Sequence, residues 1–225
     1  MPFQVLDQLS NLSAWPALVA LMLTGSVIVI AREWRFGLWS LLVQYVLVSV
    51  VHLRMLAPEL ALIKLIAGVL VCPMIYWAAR WVEGERAHRA EMERQQIARK
   101  EGQVPLPPLP WPVRPTNWIF RLLTVLLLGI VLVSVARSAT LPLVDGDIGA
   151  VCIWLWLVGL LVLILTSEPL HAGMGLLTLV TGFGLFFDAL SPGLVGIGVL
   201  AMIDLLIGLA ISYLITVRDL TREVL

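Results

Sequence analysis

Residues 148–167 read IGAVCIWLWLVGLLVLILTS, a stretch without one charged side chain. The hydrocarbon core of a bilayer is about 30 Å thick, and a helix needs roughly 20 apolar residues to cross it. Lipid offers the backbone no hydrogen-bond partner, so a run of this kind must be helical. Working outward, further apolar runs lie at about 16–31, 36–56, 58–81, 118–136, 169–190 and 193–217. The first of them is short and can be extended back toward Leu9. Pro58, Pro169 and Pro192 fall at run starts, where a missing N–H costs least. Pro73 lies inside the third run and predicts a kink. Composition agrees with this reading. The 225 residues are 60% hydrophobic and 13% charged, with a mean hydropathy of +0.97, whereas soluble domains carry roughly 25% charge. The expected fold is all-α, an integral membrane bundle of about seven transmembrane helices.

Lysine and arginine collect in the short loops of the cytoplasmic side. With the N-terminus outside, the inner side gathers Arg32, Arg35, Arg80, Arg86, Arg89, Arg94, Arg99, Lys100, Arg114, Arg218 and Arg222, and the outer side keeps Arg54 and Arg137. That asymmetry predicts an outer N-terminus and an inner C-terminus. Trp15, Trp34, Trp81, Trp111 and Trp118 fall near the proposed interfaces, as an aromatic belt requires. Residues 1–15 lack the basic start of a signal peptide, so the first apolar run is expected to remain as a helix.

The chain divides into three parts: residues 1–81 with three spans, a polar arm at 82–117, and residues 118–225 with four spans. The arm begins with residues 83–94, EGERAHRAEMER, where opposite charges recur at helical spacing, as in Glu85 and Arg89. This predicts a solvated helix continuing the third span inward. From Val104 to Pro115 the prolines at 105, 107, 108, 110, 112 and 115 impose an extended, stiff path. One reading is a linker back to the membrane. The other is a strap that docks on a neighbouring subunit through Leu106, Leu109 and Trp111.

Ionisable residues inside a span are costly and point to function. Lys64 sits about two turns into the third span, on a face with Ala61, Ala67 and Gly68. Asp204 sits near the middle of the seventh, with Ala201, Gly208 and Ser212. Small neighbours let helices approach closely, so both charges are expected to face protein. Two ideas compete. The two residues lie at depths about five residues apart, roughly 7 Å, so they can pair as a structural tie. Alternatively each belongs to a chain of proton-exchanging groups. The sixth span adds His171, Thr178, Thr181 and Asp188 on one side, with Glu168 at its inner end. Glu168 and Asp188 can also reach water from the helix ends. His52, at an outer helix end, carries less weight, and Glu59 reads as a helix cap.

Several classes are excluded. Formal net charge is zero, which leaves no footprint for nucleic acid. The sequence holds no phosphate-binding glycine loop, nucleophile elbow or metal-spaced His/Cys set, and no histidine pair suited to haem. Cys72 and Cys152 lie in apolar runs and are expected to pack. No catalytic residue, metal or cofactor is assigned, and an enzyme acting alone is not expected. The absence of two evident repeats argues against a stand-alone transporter.

Residues 201–212, AMIDLLIGLAIS, resemble the last helix of subunit K of complex I, with Asp204 where that family places a membrane-buried glutamate. Residues 64–80, KLIAGVLVCPMIYWAAR, are similar to the E-type membrane component of group 4 membrane-bound hydrogenases, in which a lysine opens such a stretch, followed by a proline and a closing AAR. The likeness is concentrated in Lys64, Pro73, Ala78 to Arg80 and the segment 196–212. It implies a membrane-arm subunit in a prokaryotic cytoplasmic membrane, coupling a neighbouring redox reaction to proton or sodium movement. Antiporter-like membrane subunits and soluble redox subunits on the inner side would be its partners. It further implies Lys64 and Asp204 as relay groups, with Glu168, His171, Thr178, Thr181 and Asp188 as possible further members. Residues 173–182, GMGLLTLVTG, depart from the family by lacking the acid usual in the penultimate span. The proton path is then rerouted, for example through His171, or broken. In the broken case the chain is a non-catalytic scaffold bridging other membrane subunits.

Overall fold

Segments that are apolar on every side can satisfy their backbone only by coiling into helices, and the regular structure among the described residues is helical. The computed structural model describes residues 14–31, 33–55, 58–101, 116–138, 146–166, 168–191 and 193–221. Among them stand seven helices: α1 (Ala14–Ile30), α2 (Trp34–Met55), α3 (Pro58–Glu101), α4 (Thr116–Ser138), α5 (Gly146–Leu165), α6 (Pro169–Leu190) and α7 (Leu194–Thr221). Five carry segments long and apolar enough to cross a membrane, at Trp34–Leu53, Glu59–Gln95, Ile148–Leu165, Pro169–Leu190 and Leu194–Arg218. The other two have shorter apolar stretches, Val19–Ile30 in α1 and Ile119–Ser134 in α4. By helix length and apolarity the chain is a multi-pass membrane protein.

α3 has 44 residues, or about 66 Å at 1.5 Å per residue. This is twice the thickness of a hydrocarbon core. Its apolar first half runs on without a break through Pro73, and residues 83–95 of its second half are nearly all exposed. There Glu85 meets Arg89 at 3.5 Å. At the root of this arm Glu83 meets Arg35 of α2 at 3.0 Å. Leu106, Leu109 and Trp111 lie outside the described residues, as does the rest of segment 104–115.

α2, α3, α7 and α6 contact one another in that cyclic order and so enclose a common interior. α5 packs on α6 and α1, while α1 also packs on α2. α4 leans on α5 and α1 and leaves Leu123, Leu126, Leu127 and Ile130 exposed. Two close approaches depend on glycine. A Cβ at Gly159 would lie 2.7 Å from the Gly175 carbonyl oxygen, and one at Gly68 would lie 2.4 Å from the Tyr45 ring. The first sets the separation of α5 from α6, the second that of α2 from α3. Trp154, buried in the core, donates from Nε1 to the Leu21 carbonyl at 3.3 Å and ties α5 to α1.

Candidate functional site

The interior of the four-helix ring is polar. Tyr45, Ser49 and His52 recur along α2 at intervals of three and four residues and share one face, Gln44 is buried beside Tyr45, and Ser40 instead donates to the Thr24 carbonyl of α1 at 2.7 Å. Lys64 enters from α3, Asp204 from α7, and His171, Thr178, Thr181 and Asp188 from α6. All of these side chains are buried, Lys64, His52, Thr178 and Asp204 completely.

Lys64 Nζ donates to Asp204 Oδ2 at 2.8 Å. The two residues singled out by charge therefore meet, and the lysine stem covers the difference in depth. A second pair joins α2 to α6, with His52 Nε2 3.0 Å from Asp188 Oδ2. His52 Nδ1 lies 2.9 Å from the Val48 carbonyl oxygen. A carbonyl only accepts, so Nδ1 carries a hydrogen. The Nε2 contact then has two proton arrangements: imidazolium facing carboxylate, or neutral imidazole accepting from a carboxylic acid. Both have zero net charge. Lys64 and Asp204 have the same two options, ammonium with carboxylate or amine with acid. A charge-neutral pair is the form in which ionisable groups survive burial, since an unpaired ion is far costlier.

α6 supplies a ruler for the order of these groups. Lys64 Nζ would be 3.2 Å from a Cβ at Gly184, and Asp188 follows one helical turn later, about 6 Å along the axis. Three residues before Gly184 comes Thr181, which faces Tyr45. Thr178 and Thr181 donate to the carbonyls of Met174 and Leu177, at 2.9 and 2.7 Å, which leaves their oxygens able to accept. His171 lies at the far end, its Nδ1 3.2 Å from Glu168 Oε2, with Glu168 largely exposed. From His171 to Asp188 the seam covers 17 residues of α6, or about 26 Å, most of a bilayer core.

Six buried polar atoms have no hydrogen-bond partner among the described residues: both amide atoms of Gln44, the Tyr45 hydroxyl, His171 Nε2, Asp188 Oδ1 and Asp204 Oδ1. All six sit on α2, α6 and α7, three of the four ring helices. Each paired carboxylate thus has one oxygen engaged and one open. An orphaned polar group costs about 1–3 kcal/mol, and water is the usual partner that relieves it.

His171, Thr178, Thr181 and Asp188 are all buried on α6, while Glu168 sits exposed at its start. Sequence reasoning put little or no weight on His52, which pairs with Asp188 here, or on Tyr45 and Gln44, whose polar atoms are buried nearby on α2. Their signal was the recurrence of polar residues on one face of an otherwise apolar α2. Among the described residues no three His, Cys, Asp or Glu side chains converge as metal ligands would. Fold and site together define a class: a helical membrane protein with buried, paired charges inside a four-helix ring. The chain matches no family model, no curated protein and no solved structure. The likeness to subunit K and to the hydrogenase component rests on the motifs in residues 64–80 and 196–212 alone.

Proposed function

We propose that this chain is a membrane-arm subunit of a complex I-like or membrane-bound-hydrogenase-like redox assembly, and that its interior seam passes protons. In this reading it spans a prokaryotic cytoplasmic membrane seven times, N-terminus outside and C-terminus inside. It acts beside antiporter-like membrane subunits and soluble redox subunits on the inner face, and it is not an enzyme on its own. The observation that carries the reading is the pair of buried, charge-neutral couples, each with one open carboxylate oxygen. A proton reaching Asp204 Oδ1 neutralises that carboxylate. The Lys64 ammonium then lacks its counter-ion and is driven to give a proton onward, toward Asp188 one turn beyond Gly184. At Asp188 the same exchange runs between Oδ2 and His52 Nε2.

The test begins with capture of the full chain in mild detergent and mass spectrometry of what accompanies it. The assembled complex, reconstituted in vesicles, is expected to lose redox-driven proton movement with Asp204→Asn and with Lys64→Ala. An assembled complex that pumps normally with both changes would refute the relay. A second reading, a scaffold bridging other membrane subunits, draws support from the fact that both acids already have partners in place. Under it, deleting residues 104–115 abolishes assembly, and Asp204→Asn changes stability without changing pumping by the complex that remains.

A further inference from the structure

On the outside of the ring, between α2 and α3, runs an apolar groove of about 320 Å3 lined by Trp39, Leu42, Val69, Pro73 and Tyr76, among others. One end of it is closed by a connected cluster. Arg80 Nη1 reaches the Tyr76 hydroxyl at 3.4 Å. The Tyr76 ring packs on Trp34 with centroids 5.6 Å apart, and the Arg35 guanidinium lies 5.4 Å from the Trp34 ring centroid. Arg35 and Arg80 both stand exposed. Glu83 is the acid paired with Arg35, Glu33 also lies near Arg35, and Arg80 adds a second guanidinium whose contact is with the Tyr76 hydroxyl.

We propose that this groove binds one anionic phospholipid, an acyl chain lying along Val69, Pro73 and Leu42 and the phosphate held by Arg80 and Arg35. Length supports this. Val69 to Arg80 is 11 residues of α3, about 16 Å along the axis, close to half of a 30 Å core. The groove and its charged end thus match one leaflet, chain and headgroup. Charge supports it as well. Guanidinium groups present several donors in a plane and bind phosphate in a two-pronged fashion, and Arg35 has donors to spare beyond its bond to Glu83. Trp77 and Trp81, 77% and 73% exposed, flank the cluster at the depth where interfacial aromatic residues sit. A zwitterionic lipid brings the same phosphate but adds a cation beside the Arg80 and Arg35 guanidiniums, which disfavours it relative to an anionic lipid. A partner helix would need an acid at that depth.

The inference is independent of proton transfer. It is tested on the full chain purified in mild detergent, by native mass spectrometry and thermal shift with phosphatidylglycerol and phosphatidylcholine of identical acyl chains. Wild type is expected to hold one phosphatidylglycerol at least tenfold more tightly than phosphatidylcholine. R35Q/R80Q should abolish that preference, and Val69→Trp, which fills the groove, should abolish binding of both. Because a variant can fail to fold, a photo-crosslinking residue in place of Trp39 in the otherwise native chain supplies a second readout, with lipid adducts expected. Equal affinity for the two lipids, an undiminished preference in R35Q/R80Q, or crosslinks to a polypeptide instead of lipid would overturn the proposal.

Discussion

Lys64 and Asp204 allow a worked prediction, because both side chains are fully buried and meet at 2.8 Å. Replacing Lys64 by Met leaves Asp204 without a counter-ion, and the cheapest response is to protonate it. An ordinary aspartate has a pKa near 3.9, so neutralising it at pH 7 costs about 4 kcal/mol at 1.36 kcal/mol per unit. Asp204→Asn leaves a lysine to be deprotonated from a reference near 10.4, which costs about 5 kcal/mol. The double variant strands no charge and is expected within about 1 kcal/mol of wild type, as replacements of whole buried pairs often are. The two single variants differ in the sign of their pH dependence. In Lys64→Met the folded state holds one proton more than the unfolded state above the unfolded aspartate pKa. Stability should therefore fall by about 1.4 kcal/mol per pH unit as pH rises, and recover toward pH 4. In Asp204→Asn the folded state holds one proton fewer, so stability should rise with pH by the same slope up to about pH 10. The assay is reversible unfolding of the purified full chain in mixed micelles across pH 5 to 9. Two flat profiles, or single-variant losses that simply add in the double variant, would refute a dry, mutually dependent pair.

The second pair should behave likewise: His52→Phe strands Asp188 and is expected to cost several kcal/mol, again growing as pH rises, in the same unfolding assay. Gly68→Val places a Cβ 2.4 Å from the Tyr45 ring, an overpacking expected to cost about 1–3 kcal/mol and to be read as a lowered melting temperature. Gly129→Ala, where an added Cβ meets nothing within 4 Å, is the control and should leave the melting temperature unchanged or slightly raised, since alanine favours helix. Reporter fusions should report Leu225 and the 101–116 connection inside and the 138–146 connection outside. Phosphatase activity from a C-terminal fusion would reverse the proposed orientation.

The apolar runs located the helices well because lipid leaves the backbone no alternative. The run at 169–190 coincides with Pro169–Leu190, and 36–56 differs from Trp34–Met55 only at its ends. Charges in the polar arm were equally legible: opposite signs at i,i+4 carry α3 to Glu101, beyond its apolar portion. Lys64 and Asp204 stood out because each is a charge in an apolar run. The His52–Asp188 pair was harder to see. Both residues sit near the ends of their runs, where side chains can often reach water, and nothing local tells that His52 and Asp188, 136 residues apart, are turned toward each other. Gln44 and Tyr45 were missed for a different reason. Neither carries a charge, so in a list of intramembrane ions they vanish. They register only when α2 is read as a face with a polar stripe.

The stripe matters because it changes what the missing acid in residues 173–182 means. Along α6 the charged pairs occupy only the Asp188 end, and the ten residues from His171 to Thr181, about 15 Å, supply hydroxyls rather than carboxylates. Taken alone, α6 has a gap there. α2, which packs on α6, carries Gln44 and Tyr45, whose polar atoms are buried and open to a further partner, and in the proposed function these bridge the gap. A phenol, an amide and two hydroxyls cannot store a proton at neutral pH, but they can hold water in line, and a water chain moves a proton without any of them changing charge. In the proposed function the seam therefore has two kinds of segment, one that stores protons on ion pairs and one that only conducts between His171 and Tyr45. Zero net charge in every resting pair is what lets such a seam lie inside a bilayer, and the open carboxylate oxygens are where its two segments would join.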